Sequence, residues 1–184
     1  MIMRELSLHI LDIVQNSITA DASIIKVVID EDIKRDLFLI KIIDNGNGIA
    51  GDKLAQITDP FITSRTTRKV GLGLALFKEA AKQCEGDLRI KSALGEGTEV
   101  EVCFRYGHID RAPLGDIQGT LISLISVNPD IDFIYQHKYQ DKEFVFSTIE
   151  IKKELDGISI NKSRILNWIE GYLDEGLEDL YGGD

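Results

Sequence analysis

Residues 37–49 read LFLIKIIDNGNGI. From Leu37 to Asp44 the run is apolar, β-branched and short, so it reads as a strand that ends on a carboxylate. Behind it, Asn45 to Gly51 holds three glycines, which interrupt regular structure and let backbone approach a neighbour closely. Upstream, Ser23 to Asp30 is likewise rich in Ile and Val, and the charged stretch Asp32 to Asp36 suits a hairpin turn between two adjacent strands. Further upstream, from Arg4 to Thr19, the residues Leu6, Ile10, Ile13, Val14 and Ser17 recur at helical spacing. Glu5, His9, Asp12 and Asn16 form a second, polar stripe at the same period, which on a lone helix reads as a solvated face.

Downstream of the glycines, Asp52 to Ile57 makes a short helical turn, and Asp59 to Val70 is a polar, basic, Thr-rich loop. Gly71 to Cys84 reads as a helix with Leu72, Leu76, Ala80 and Ala81 inward. Two more strands, Asp87 to Ser92 and Thr98 to Arg105, flank the turn Gly95-Glu96-Gly97, and the alternation Val100, Val102, Phe104 marks a half-buried face. This order predicts an α+β fold, a two-layer α/β sandwich in which helices cover one face of a mixed sheet. The other face is left for a partner or for the C-terminal segment. Gly107, Pro113 and Gly115 interrupt the periodicity, which divides the chain into a domain over 1–106, a linker over 107–115 and a small C-terminal α/β extension over 116–184. The extension reads as a helix from Ile117 to Val127, a hairpin of Asp132 to Tyr139 and Glu143 to Lys152, and a last helix from Asn161 to Leu180. Along one side of that helix run Ile165, Leu166, Ile169, Leu173 and Leu177, which pack either at home or, in a homodimer, on a second subunit.

With 184 residues the chain can bury a full core, and its formal charge of -10 argues against binding nucleic acid through its general surface. Any phosphate must be held locally. Cys84 and Cys103 sit in apolar or amphipathic segments without metal-ligand spacing, which reads as small core residues in a reducing cytoplasm. No apolar run approaches the ~20 residues that span a bilayer. The first helix carries Glu5 and Asp12, unlike a signal peptide. The expectation is a cytoplasmic protein with no membrane partner.

Four local patterns carry chemistry. Asn16 on the first helix can give its amide oxygen to Mg²⁺, a hard cation that binds through few protein oxygens plus phosphates. Asp12, one turn earlier, shares that face and can orient or deprotonate a water. Asp44 can accept a hydrogen bond from an exocyclic amine such as that of adenine, with Gly46, Gly48 and Ile49 beside a flat ring; the same run also reads as a plain turn. Pro60 and Phe61, then Thr63 to Lys69, lead into Gly71, Leu72, Gly73 and Leu74 at a helix start. Backbone N–H groups there, with hydroxyls and cations just before them, suit a polyphosphate; the alternative is a flexible basic loop. Last, Ser92, Gly95, Gly97, Thr98 and Val100 surround a tight turn.

In this order the patterns resemble the N box, the first glycine box, the F box with the second glycine box, and the terminal glycine-threonine signature of the histidine-kinase-like ATPases, over about Met1 to Tyr106. The resemblance implies the Bergerat ATP-binding fold with ATP and Mg²⁺ as ligands. It implies that Asn16 coordinates the metal, that Asp44 reads the adenine amine, and that Gly46 and Gly48 make room for the base. It implies that Phe61 begins a mobile lid and that Thr66, Thr67, Arg68, Lys69, Gly71 and Gly73 address the phosphates, with Thr98 under the adenine beside Asp44. Asp12 stands where hydrolysing members carry a glutamate base. Two positions depart from the kinase pattern: Lys69 replaces a glycine and Thr19 a basic residue. The run Asn16-Ser17 to Ala20-Asp21-Ala22 looks closer to mismatch-repair ATPases, whereas Gly71 to Leu74 looks like kinases.

Three functions compete. One is a histidine- or serine-type phosphotransferase whose protein acceptor is supplied in trans, because His9, His108 and His137 lack the context of a dimerisation-domain acceptor. Another is a regulatory ATP-binding module that acts on a protein partner in signalling. The third is a slow ATPase of the mismatch-repair or gyrase-like branch with Asp12 as base.

Overall fold

The structure, a computed structural model, describes residues 5–51, 53–54 and 73–182, together with the helical backbone of residue 72. In chain order its elements are α1 (Leu6–Thr19), β1 (Ile24–Asp32), β2 (Leu37–Asp44), α2 (Leu72–Gln83), β3 (Asp87–Ala93), β4 (Gly97–Arg105), α3 (Ile117–Val127), β5 (Asp132–Tyr139), β6 (Lys142–Ser147), α4 (Thr148–Glu154) and α5 (Ser163–Tyr181). Six strands form one mixed sheet in the order β3-β4-β2-β1-β5-β6. Neighbours pair antiparallel except β1 and β5, which run parallel from Ile24 opposite Asp132 to Glu31 opposite Tyr139.

Strict alternation in β1 and β2 gives the sheet its two faces. Ile25, Val27 and Ile29 are opposite Asp44, Ile42 and Ile40, all buried on one side. That face continues through Val100, Val102 and Phe104 of β4 and through Phe133, Tyr135 and Phe146 of the last hairpin. The helices pack against this face and each other, so the molecule has the two layers expected of an amphipathic sheet. The opposite face carries cross-strand charges instead, with Lys41 2.9 Å from Glu101 and Lys91 3.0 Å from Glu99. The Glu101 carboxylate holds the Lys41 ammonium above its ordinary value and is itself held below the usual carboxylate range. The C-terminal segment does not cover that face; it extends both layers sideways, because the buried face of β1 needs a neighbour beyond β2.

The stretch 106–116 is tied down rather than loose. Leu6 and Ser7 donate their backbone N–H groups to the Pro113 and Leu114 carbonyls, so this stretch satisfies donors that a helix start leaves over. The Arg111 guanidinium lies 4.6 Å over the Phe38 ring and 4.9 Å over Tyr106.

Two sequence expectations need correction. The second strand of the last hairpin stops at Ser147, and Thr148–Glu154 is helical where a strand to Lys152 was expected. The buried Thr148 hydroxyl takes the Phe133 N–H at 2.8 Å, so the ladder ends on a side chain, and Ile151 and Leu155 then pack inward at helical spacing. In α2 the inward residues are Leu74, Phe77 and Ala81, whereas Leu76 is exposed; the aromatic ring of Phe77, fully buried against the sheet, sets the helix phase. Among the described residues no helix is long and apolar enough to cross a membrane.

Candidate functional site

Asp44 closes β2, almost fully buried, and accepts three hydrogen bonds. Ser17 on α1 donates to Oδ2 at 2.5 Å, while the backbone N–H groups of Gly46 and Thr98 donate to Oδ1 at 2.9 and 3.2 Å. A carboxylate offers about four acceptor positions, so one remains for an external N–H donor. Ser17 follows Asn16 directly, which places residues 16 and 44 in one neighbourhood although 28 positions separate them in sequence.

The glycines here answer to close approach. A β-carbon on Gly46 would stand 2.6 Å from the Ala20 carbonyl oxygen and 3.1 Å from Asp44 Oδ1. Gly48, at φ +67°, would put one 1.9 Å from the Ala93 carbonyl oxygen, a distance no side chain survives. The two loops are stitched together: Gly95 N–H donates to the Asn47 carbonyl at 2.9 Å and Ile49 N–H to Ser92 Oγ at 2.8 Å. Ser92 Oγ also donates to the Gly97 carbonyl at 2.8 Å and lies 2.9 Å from Thr98 Oγ1. Asn45 faces the other way and caps the start of β1 through Ser23 and Ile24.

On α1, Asp12 and Asn16 are half-buried, and among the described residues neither side chain has a hydrogen bond or ion pair. An uncommitted amide oxygen fits a magnesium-phosphate complex, which asks for few protein ligands. Gly73 sits against Asp12: a β-carbon there would stand 3.2 Å from Asp12 Oδ2. The start of α2 is therefore beside the carboxylate, one turn along α1 from Asn16. His9, expected on a solvated stripe, is instead buried, its ring stacked on Phe77 at 4.7 Å. Burial pushes the imidazole below its ordinary value against the pull of the Asp12 charge, and Nδ1 is the one buried side-chain polar atom without a partner among the described residues. Leu74 is buried on the same face of α2 as Phe77, and Ile49 is half-buried. Phe61, Thr66, Thr67, Arg68, Lys69, Gly71 and the Leu72 side chain lie outside the described residues.

Sequence reading did not single out Ser17, placing it with the core face; its signal was its position beside Asn16 on the helix that must meet Asp44. From spacing alone Ser92 reads only as part of a turn.

A family model described as "Histidine kinase-, DNA gyrase B-, and HSP90-like ATPase" matches residues 3–108. The chain belongs to this family. It therefore carries the family's ATP-binding domain. The non-motile and phage-resistance protein of Caulobacter vibrioides is 35% identical over 111 residues, which is 55% of this chain and 13% of that protein. Sporulation kinase D of Bacillus subtilis is 39% identical over 64 residues, 35% of this chain and 12% of that protein. The chain thus spans only a small part of these relatives. Among solved structures, the N-terminal domain of a DNA repair protein superposes with a TM-score of 0.55 at 15% identity, covering 78% of this chain and 52% of that one. That likeness concerns the fold, and it agrees with a two-layer Bergerat arrangement.

Proposed function

We propose that the chain is a magnesium-ATP-binding module with a kinase-like or regulatory role toward a protein partner. The observation that supports this best is the Asp44 carboxylate, oriented by Ser17 and by the Gly46 and Thr98 N–H groups with one acceptor position left over. In this reading that position takes the adenine amine, and Gly46 and Gly48 keep the wall flat. Asn16 holds the metal, which when bound neutralises phosphate charge. Gly73 addresses the phosphates from the start of α2, and Thr66 to Lys69 with Gly71 are assigned to them by the family resemblance. With little chemistry left for side chains to perform, positioning and charge stabilisation would account for transfer to an acceptor. A protein acceptor or regulated partner, a homodimer and a cytoplasmic location belong to the same proposal.

The contact between Asp12 and Gly73 favours a second reading, slow hydrolysis. Asp12 then orients a water toward the phosphates. Incubation of the purified protein with γ-labelled ATP, alone and with lysate from its own source, separates the readings. Label on another polypeptide supports transfer, free phosphate supports hydrolysis, and retention without either supports the regulatory module. Titration calorimetry tests the site itself: Asn16→Ala should abolish the magnesium-dependent part of ATP affinity with the fold retained, and unchanged affinity refutes the metal assignment.

A further inference from the structure

Val145 and Phe146 are neighbours on β6 and point to opposite faces of the sheet, yet both line one groove of about 740 Å³. A groove reached from both faces runs along the strand's edge. That edge is free: β6 ends the sheet, and among the described residues its one strand neighbour is β5. Ile151 of α4, Leu155 at its C-terminal cap, and Ile165 and Trp168 of α5 form the walls. Trp168 is 57% exposed and stacks on Tyr172 at 5.5 Å. A second groove of about 470 Å³ shares Tyr172 and continues past Phe144, Glu143 and Lys142, so the two together follow all six residues of the strand.

We propose that this edge is a docking site for an extended segment of a partner protein, in which apolar residues alternate with lysine or arginine, that adds to the sheet as a seventh strand. Edge strands that need no partner are blunted with charge. The opposite edge, β3, carries Arg89 and Lys91, whereas β6, past Lys142 and Glu143, exposes Val145 and leaves Phe144 half-buried. The charge of the groove selects the partner. Glu154, Glu175 and Asp179 line the two grooves with no ion pair among the described residues, and they outnumber Arg164, which also lines the first groove without one. Lys142 is occupied by the Asp179 and Gly182 carbonyls, and beyond Arg164 the sequence has acidic residues and no Lys or Arg. A second copy would bring the same acids against themselves. A helix in the groove would leave the outward N–H and C=O groups of β6 unanswered, whereas a strand pairs with them. The site lies three strands from β2 and does not depend on the nucleotide reading.

Trp168 is the single tryptophan, so its emission reports occupancy. The probe is the blocked peptide Lys-Val-Lys-Val-Lys-Val, compared with its glutamate counterpart, with a lysine-leucine helical peptide of equal charge, and with two forms N-methylated at every lysine or at every valine. The parent should shift the emission saturably and bind roughly tenfold or more tighter than the glutamate and helical peptides. Only alternate amides of an added strand face β6, so one methylated form should lose about tenfold and the other should bind like the parent. Val145→Lys, at an exposed position, should weaken the parent similarly with unchanged circular dichroism. Unmoved emission, equal affinity of the two methylated forms, tighter binding of the helical peptide, or a concentration-dependent dimer that Val145→Lys abolishes would each overturn the proposal.

Discussion

At Gly48 the backbone has φ +67° and the Ala93 carbonyl fills the space a β-carbon would take. Gly48→Ala must therefore push two loops apart as well as strain the backbone, and about 3 kcal/mol or more of stability should be lost in urea melts. Ser17 and Asp44 form a buried pair with a charged acceptor. Ser17→Ala should cost about 1.5–3 kcal/mol. A double-mutant cycle with Asp44→Asn should return a coupling above about 0.5 kcal/mol; additive effects would mean that the bond does not orient the carboxylate. The sequence already named Asp44, Gly46, Gly48 and Asn16, because glycines and an isolated carboxylate at a strand end are conspicuous. It did not disclose Ser17 or the burial of His9, since a residue's partner across 27 positions is absent from local spacing.

Among the elements, α5 is joined to the sheet by more than its apolar stripe. At its end the Tyr181 hydroxyl donates to Glu31 on β1, and His137 on β5 lies 2.9 Å from the same oxygen and 2.6 Å from the Tyr135 hydroxyl. Burial pushes the Glu31 carboxyl up, but the hydrogen bonds of His137 and Tyr181 and the charges of His137 and Arg111 outweigh it and hold the group below the ordinary glutamate value. A lowered folded value means that Glu31 contributes stability above its unfolded value and loses it as the pH falls through the folded one. Acid should therefore weaken the fold as the pH drops below about 4.3. In Tyr181→Phe, stability at pH 7 should fall by about 1–2 kcal/mol, discounted for a half-exposed tyrosine. The acid-dependent loss should shrink with it, as urea midpoints against pH would reveal. Helical and strand periods were legible for most elements. They failed at α4, where Thr148, Ile149 and Ile151 favour a strand locally and a tertiary bond from Thr148 decides otherwise.

For the whole molecule the decisive feature is the parallel pairing of β1 with β5. Ending the chain before α3 would leave Ile25, Val27 and Ile29 of β1 at an open edge without their neighbours Phe133, Tyr135 and His137. Such a truncation is expected to aggregate or melt without cooperativity in calorimetry. A cooperative melt would instead mean that residues 5–116 fold alone.

By itself the sequence determined the alternation of β1 and β2, the amphipathic helices, and the family through four motifs in fixed order. These are local properties, set by side-chain period and by glycine at points of close approach. Only the tertiary structure decided that the last hairpin joins the same sheet, that Ser17 orients Asp44, and that β6 is left at the end of the sheet. Each of those depends on which distant surfaces meet when the apolar face is buried, and pairing between strands a hundred residues apart leaves no periodic trace in the chain.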